Sequence, residues 1–541
     1  MNFYKTTKQD DPVNVQVGLL IFCGLIFNYI VALSQGAFFC CSIQNELIAQ
    51  QTDFMNYARN SFKVEAFNFH PLYEYLISKN NTLIPVLTSL LLAISSEVIT
   101  KFIIISIYGF IQTLGIPYFI LVITKNKWAA ILALIFIYLA APNVERIYSY
   151  QAGSFITGHQ ATALFFMLAA LFIQSKYRLF ILGWLFSAAI HPTTAIVWSP
   201  FFILLIYKDI FQLRFNSYTL SDKLSNILLI ISPILLFSFF YLFDTFVKVI
   251  DEENTQSYWD LTTSAFYHIR FFGTARSVLI FDYLSLILSL LLIGQSNYSI
   301  KSLVTINKMI AYLGLGILCG YLLFIELELS TLVGMTLPLR FAVVMYGILV
   351  VNIFVILFSK VSNYEKLIGL FIISTFFIGN IHSLISSHFH PLAGLWIGAL
   401  LLSNLPRKLQ IQLAIFFSLG FCFLALILPA PTFNGSAQSI LKYDFLANIV
   451  NNLSLIFQLN YRNLLYFIFI FFHIIFTASC LLFISFFVKK IIIRRIIIIL
   501  ILGIITLGSV KTFLLRINFP KINSELVHML NKKSEINEEQ E

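Results

Sequence analysis

Charged side chains are scarce in this sequence. Asp, Glu, Lys and Arg make up only 11% of the 541 residues, whereas 59% are hydrophobic, and the mean hydropathy is +0.87. No soluble domain buries that much apolar surface in its own core, so we expect lipid to surround much of the chain. The net charge of +10 is better explained by basic cytoplasmic connections between membrane spans than by nucleic-acid binding, which we do not expect.

Cysteine is also rare, and its positions argue against a disulfide framework. Four of the six cysteines lie inside apolar runs, where cysteine behaves as a small hydrophobe: Cys23, Cys319, Cys422 and Cys480. Cys40 and Cys41 are adjacent and form no spaced pattern. Neither a Walker A motif, nor a Gly-x-Gly-x-x-Gly fingerprint after a strand, nor His-Glu-x-x-His occurs in the sequence. These absences argue against an ATPase, a dinucleotide enzyme and a zinc protease of that class.

Long apolar runs, in contrast, recur along nearly the whole chain. They are continuously apolar, unlike the alternating strands of a membrane barrel. The sequence therefore predicts an all-α polytopic membrane protein with about 12–15 transmembrane helices in one membrane domain over residues 15–512. The first run is interpreted as an uncleaved span and not as a signal peptide. The predicted spans are 15–39, 99–124, 128–142, 160–175, 178–190, 193–207, 225–243, 277–294, 309–326, 341–359, 366–379, 390–404, 411–429, 463–488 and 491–511.

The segment 178–207 is too long for one span and has His191-Pro192 at its middle. Because proline disfavours helical geometry in the residue before it, we predict two short helices that meet at a break, with their far ends on the same side. This interpretation keeps most basic residues of the short connections on one side of the membrane, whereas the short connections of the opposite side offer Arg146, Arg340 and little else. The basic residues of the first side are Lys125, Lys127, Lys176, Arg178, Lys208, Arg214, Lys223, Lys301, Lys308, Lys360, Lys366, Arg407, Lys408, Lys489, Lys490, Arg494 and Arg495.

Basic connections remain on the cytoplasmic side, which predicts a cytoplasmic N-terminus over residues 1–14. The short polar tail, 513–541, is then predicted to lie outside. Three long connections are also predicted outside: 40–98, 244–276 and 430–462. Ahead of the tail, seven of the nine histidines fall on this outer side: His70, His159, His191, His268, His382, His388 and His390. The asymmetry points to a site that faces away from the cytoplasm.

Two candidates for that site lie in the first long connection. Asp53 follows the first span, where a carboxylate can act as a general base toward a hydroxyl or hold a divalent cation. The alternative is a solvated loop carboxylate or a helix cap. His70 stands before a proline among aromatic residues, and its alternative role is an anchor at the lipid interface.

Two further candidates lie beside predicted helix ends. His191 occupies the break in 178–207, where exposed backbone groups must line a cavity or contact protein. Its alternative is a tight outer hairpin capped by a threonine. Arg340 begins a span and suits bidentate phosphate binding, or else it extends to the interface as a snorkelling residue. Spacing predicts no metal cluster, since His388-x-His390 has no carboxylate or cysteine beside it in sequence.

The segment Asp-Phe-Met-Asn-Tyr-Ala at 53–58, the segment Phe-His-Pro-Leu-Tyr at 69–73 and the helix pair around His191 together resemble the GT-C superfamily of integral-membrane glycosyltransferases. That superfamily includes protein mannosyltransferases and bacterial lipid A aminoarabinose transferases. The similarity covers roughly residues 15–207. It departs from the family where two neighbouring acids often occur, because the acids nearest to Asp53 are Glu46 and Glu65.

The resemblance implies an enzyme of the plasma (bacterial inner) membrane whose site faces the periplasm or exterior. It would move a sugar from a polyprenyl-phosphate donor to a glycan, lipid or protein acceptor. Asp53 would be catalytic, and the substrate-binding residues would be His70, His191, Arg340 and Glu46. No cofactor is implied with certainty, although a divalent cation is possible. The alternatives are a transporter or flippase of lipid-linked glycans, and a glycan polymerase.

Overall fold

Helices form every regular element in the part of the chain that the structure describes. The structure is a computed structural model that describes residues 11–34, 83–140, 157–212, 228, 231–232, 277–294, 301–326, 338–381, 389–427 and 475–511. Its helices cluster into two compact units. The expectation of an all-α chain is met throughout these residues, whereas the prediction that residues 15–512 form one membrane domain stays a prediction.

Unit 1 contains eight labelled helices within the described residues. They are α1 (Asp11–Ser34), α2 (Leu83–Ile94), α3 (Glu97–Leu114), α4 (Ile116–Thr124), α5 (Lys127–Leu139), α6 (Thr157–Ile173), α7 (Tyr177–Ile190) and α8 (Pro192–Gln212). The predicted span 99–124 is interrupted at Gly115, and Pro117 lies in the first turn of α4. Proline suits that position because a first-turn N–H has no partner within its own helix.

The close approach of α1 and α3 organises unit 1. Gly24 of α1 lies against Thr113 of α3, where a methyl group on the glycine would come within 2.8 Å of the threonine Cβ. One turn further along, the Asn28 side-chain amide donates a 2.7 Å hydrogen bond to the Ile105 carbonyl oxygen, and Tyr138 donates to the Asn28 Oδ1 atom. Small residues and interhelical hydrogen bonds are the contacts that hold apolar helices together in lipid.

Unit 2 contains the remaining described helices. They are α9 (Ser277–Gly294), α10 (Lys301–Tyr321) with a π-helical continuation (Leu322–Glu326), a 3₁₀ turn (Pro338–Arg340), α11 (Phe341–Phe358), α12 (Asn363–Ile381), α13 (Phe389–Leu402), α14 (Arg407–Ile427), α15 (Ile475–Phe487) and α16 (Ile491–Lys511). Helix α11 is apolar on all sides, and every residue from Phe341 to Ile356 is buried. A helix of that kind belongs in the interior, and α11 packs against α9, α10 and α12.

A reciprocal amide pair joins α10 to α11 inside unit 2. The Asn307 amide nitrogen lies 2.8 Å from the Asn352 Oδ1 atom, and the Asn352 amide nitrogen lies 2.9 Å from the Asn307 Oδ1 atom. Both side chains are buried. Each amide thus supplies the donor and the acceptor that the other needs, which removes the cost of burying two polar groups among apolar residues.

Four helical segments among the described residues are long and apolar enough to cross a membrane. They are Val98–Thr124, Leu303–Phe324, Phe341–Phe358 and Ile491–Lys511. Further apolar helices of 10–17 residues accompany them. The chain is therefore an all-α protein with membrane-spanning candidates, as its composition predicts. Two predicted spans agree with the observed helices to the residue, namely 277–294 and 491–511.

Candidate functional site

The candidate site residues are only partly within the described structure. Asp53, Glu46 and His70 lie outside the described residues, so their proposed roles stay predictions. His191 lies in unit 1 between α7 and α8, and Arg340 lies in unit 2 immediately before α11.

Helices α7 and α8 fold back on each other at His191. The Trp184 indole N–H donates a 2.9 Å hydrogen bond to the Ser199 hydroxyl oxygen. In a continuous helix these residues would be about 22 Å apart along the axis, at about 1.5 Å per residue. Farther from the bend, the ring centroids of Phe180 and Phe202 lie 5.1 Å apart. The prediction of two helices that meet at a break and fold back on each other is therefore confirmed, although α8 has 21 residues and is longer than expected. That their far ends lie on the same side of the membrane stays a prediction.

The bend follows from the residue pair at its centre. His191 has an extended backbone conformation, with φ of −152° and ψ of 90°, as expected for a residue that precedes proline. Its N–H donates to the Ser187 carbonyl oxygen and ends α7, while its own carbonyl oxygen accepts from the Ala195 N–H and begins α8. Pro192 is then the first residue of α8, which is the helical position at which proline is best tolerated.

The His191 imidazole caps the start of α8. Its Nδ1 atom lies 3.3 Å from the Thr194 backbone nitrogen and 3.0 Å from the Thr193 hydroxyl oxygen. A backbone N–H can only donate, so Nδ1 must be the unprotonated nitrogen and the ring proton must reside on Nε2. The structure thus shows the tight hairpin, which is one of the two interpretations of this segment. The residue that caps it is His191, whereas a threonine was expected.

An aromatic cluster between α6 and α8 holds the hairpin in place. The Phe165 ring contacts three rings of α8, with centroid separations of 5.7 Å to Trp198, 5.2 Å to Phe201 and 5.1 Å to Phe202. Such edge-on and tilted pairs are favoured by the ring quadrupoles and fix side-chain orientation as well as burying area. These ring contacts pack the α8 arm of the hairpin against α6. The high aromatic content hinted at this cluster, but only packing reveals which rings meet.

Substituting His191 separates its capping role from any role toward a substrate. His191→Ala removes the cap, and we expect it to lower the free energy of unfolding by about 0.5–2 kcal/mol. Asn is a good capping residue, so His191→Asn should retain most of that stability while removing the imidazole. Thermal unfolding of the purified variants in detergent measures the first effect. Equal stability of His191→Ala and the unsubstituted protein would contradict the capping role.

Arg340 lies at the beginning of the buried helix α11. It ends a 3₁₀ turn that starts with Pro338, and it occupies the capping position of α11 without a side-chain capping bond. The first turn of α11 contains no acidic residue. Arg340 as a whole is half-buried. Its phosphate-binding role stays a prediction.

Buried amides in unit 1 are polar groups that the sequence analysis did not single out. The Gln112 side-chain amide of α3 donates a 3.1 Å hydrogen bond to the Gln160 Oε1 atom of α6. Both side chains are fully buried. In the sequence, each of these glutamines is an amide within an otherwise apolar run. Such an amide indicates a helix–helix contact or a polar site, but it does not identify the partner residue.

The described residues contain no group of three or more His, Cys, Asp or Glu side chains arranged to hold a metal ion. The predicted divalent-cation role belongs to Asp53, which lies outside the described residues.

No family model, curated protein or solved structure matches this chain. Function must therefore be inferred from the residues and their geometry, and the likeness to GT-C glycosyltransferases stays a prediction from three short segments.

Proposed function

We propose that this chain is a GT-C-like membrane glycosyltransferase. It spans the plasma (bacterial inner) membrane about 12–15 times, with a cytoplasmic N-terminus and a site facing the periplasm or exterior. Its donor is a sugar linked to polyprenyl phosphate, and its acceptor is a hydroxyl of a glycan, lipid or protein. The membrane orientation and the sugar chemistry both belong to this proposal.

The α7–α8 hairpin is the observation that carries the proposal. Of the three segments on which the resemblance depends, it is the one within the described residues, and it has the folded-back geometry that the resemblance implies. Its bend places the His191 imidazole, the Thr193 hydroxyl and the Thr194 backbone N–H at the junction of two apolar helices. A fixed polar bend of this kind is suited to orienting a hydroxylated ligand at the end of a helical bundle.

The proposed reaction assigns one role to each candidate residue. Asp53 accepts the proton of the acceptor hydroxyl while that oxygen bonds to the anomeric carbon of the sugar. The bond between the anomeric carbon and the phosphate oxygen breaks, and polyprenyl phosphate leaves with the bonding electrons. Arg340 stabilises the negative charge that develops on this leaving phosphate, which is the step that most requires a fixed cation. Glu46, His70 and His191 bind the substrates.

The direct test uses purified full-length protein, a radiolabelled sugar on polyprenyl phosphate, and a mixture of lipid and glycan acceptors. We expect labelled sugar in an acceptor fraction and an equal quantity of released polyprenyl phosphate. The same protein in sealed vesicles provides the contrasting measurement. Movement of the intact labelled donor across the vesicle membrane, without release of polyprenyl phosphate, would contradict glycosyl transfer and indicate a flippase.

A further inference from the structure

Three connections that are distant in sequence meet at one end of unit 2. The Arg407 guanidinium, at the start of α14, donates a hydrogen bond to the Ser485 carbonyl oxygen near the end of α15. The same guanidinium lies 5.4 Å from the Tyr364 ring centroid at the start of α12. These contacts bring the connections before α12, α14 and α16 together. We name this region, formed by residues 359–366, 403–410 and 485–495, the basic end.

The basic end is strongly positive. Its segments contain eight cationic side chains: Lys360, Lys366, Arg407, Lys408, Lys489, Lys490, Arg494 and Arg495. Their single carboxylate belongs to Glu365, which accepts a 2.7 Å hydrogen bond from the Ser362 N–H and caps the start of α12. Cations clustered at this density create a positive potential that attracts anions.

The beginnings of α14 and α16 increase this positive potential. Acidic residues usually occupy the first turn of a helix, because its unpaired N–H groups carry partial positive charge. Helix α14 begins instead with Arg407 and Lys408, and its first turn contains no acidic residue. Helix α16 follows Lys490 directly, and the Arg494 N–H bonds to the Lys490 carbonyl oxygen in its first turn. Both helices thus present N–H groups and cationic side chains at the same end.

An exposed apolar surface adjoins these cations. Phe486 and Phe487 at the end of α15 are 59% and 41% exposed, and Ile491 and Ile492 at the start of α16 are 58% and 73% exposed within unit 2. Helix α16 continues this surface along its length, since only 17% of its apolar stretch is buried. A ligand at this place would meet cations at one end and hydrocarbon-like surface beside them.

From this juxtaposition we infer that the basic end is a binding site for an anionic phospholipid. The phosphate and headgroup lie among the lysines and arginines around Lys490, while an acyl chain follows the exposed face of α16. Cations placed at the cytoplasmic end of a membrane helix attract anionic lipids, and the attraction grows with each added Lys or Arg. The basic end contains none of the residues proposed for sugar transfer.

The test measures energy transfer from the tryptophans of the full-length protein, in neutral detergent, to dansyl-labelled phosphatidylglycerol. The variant exchanges four cations of the basic end for glutamine: Lys489→Gln, Lys490→Gln, Arg494→Gln and Arg495→Gln. The matched control removes four exposed cations of unit 1: Lys125→Gln, Lys127→Gln, Lys176→Gln and Arg178→Gln. Circular dichroism and gel filtration verify that both proteins remain folded.

We expect the basic-end variant to bind phosphatidylglycerol at least about tenfold more weakly than the unsubstituted protein, and the control to change far less. High salt should reduce this difference because it screens the exposed cations. Equal loss in the two variants would overturn a specific site. Equally tight binding of dansyl-labelled phosphatidylcholine would show that acyl contacts alone suffice, and displacement of the lipid by inorganic phosphate would show a free-anion site. Either result would also overturn the inference.

Discussion

Asp53→Asn is expected to lower the rate of sugar transfer by about 10²–10⁴-fold, the range that general acid–base catalysis contributes. Asparagine is close to aspartate in size but cannot accept a proton from the acceptor hydroxyl. Binding of the lipid-linked donor should change much less than the rate, because the phosphate is assigned to Arg340. Initial rates with saturating donor, together with a donor-binding measurement, separate the two quantities.

Glu65→Gln is the matched control for this experiment. Glu65 lies in the same predicted outer connection, so its substitution removes a carboxylate of the same region without removing the proposed base. Asp53→Glu retains a carboxylate on a longer side chain and should recover part of the rate. Full sugar transfer by Asp53→Asn, with transfer by Glu65→Gln also intact, would exclude Asp53 as the base. The family resemblance would then have assigned the wrong residue.

Gly24→Ala should destabilise unit 1 by about 1–3 kcal/mol, the usual cost of inserting a methyl group into a filled contact. The new methyl group would lie 2.8 Å from the Thr113 Cβ and 3.0 Å from its Cγ2. Rotation of the threonine cannot relieve the first contact, because Cβ does not move with the rotamer. The Thr113 hydroxyl also donates a 2.7 Å hydrogen bond to the Gly109 carbonyl oxygen, which a new rotamer would break. Helices α1 and α3 must therefore separate.

Gly18→Ala provides the control on the same helix. A methyl group there would have no atom within 4 Å, and alanine favours helix more than glycine does. We therefore expect Gly18→Ala to leave the midpoint of thermal unfolding in detergent unchanged or slightly higher, while Gly24→Ala lowers it. If the two variants unfolded at the same temperature, the close contact between α1 and α3 would not contribute to stability.

Helix positions were largely predictable because lipid-compatible helices need long apolar runs with polar or charged ends. The predicted spans 277–294 and 491–511 agree with the observed helices, and a basic residue directly precedes each of them, namely Arg276 and Lys490. The reversal at His191 was predictable because proline restricts the residue before it. Pro117 carried a similar signal within 99–124, but the continuous apolar pattern around it favoured a single span, and the break at Gly115 was missed.

Pairings between helices could not be predicted in the same way. Asn28 and Ile105 are 77 residues apart, and Gln112 and Gln160 are 48 apart. A single sequence shows that an amide in an apolar run needs a partner but not which helix supplies it. The capping role of His191 was missed for a related reason, since side-chain orientation at a bend depends on the bend geometry. Asp53, His70 and Glu46 depend on the resemblance alone.

The reciprocal amide pair of Asn307 and Asn352 has a consequence for motion within unit 2. Each hydrogen bond requires the other amide to keep its orientation, so a rotation or one-residue slide of α10 against α11 breaks both bonds together. Asn352 also donates to the Ile348 carbonyl oxygen of its own helix, which restricts its side chain further. Helices α10 and α11 should therefore move as one body during any opening or closing of unit 2, and the joints of such a movement must lie elsewhere in the chain.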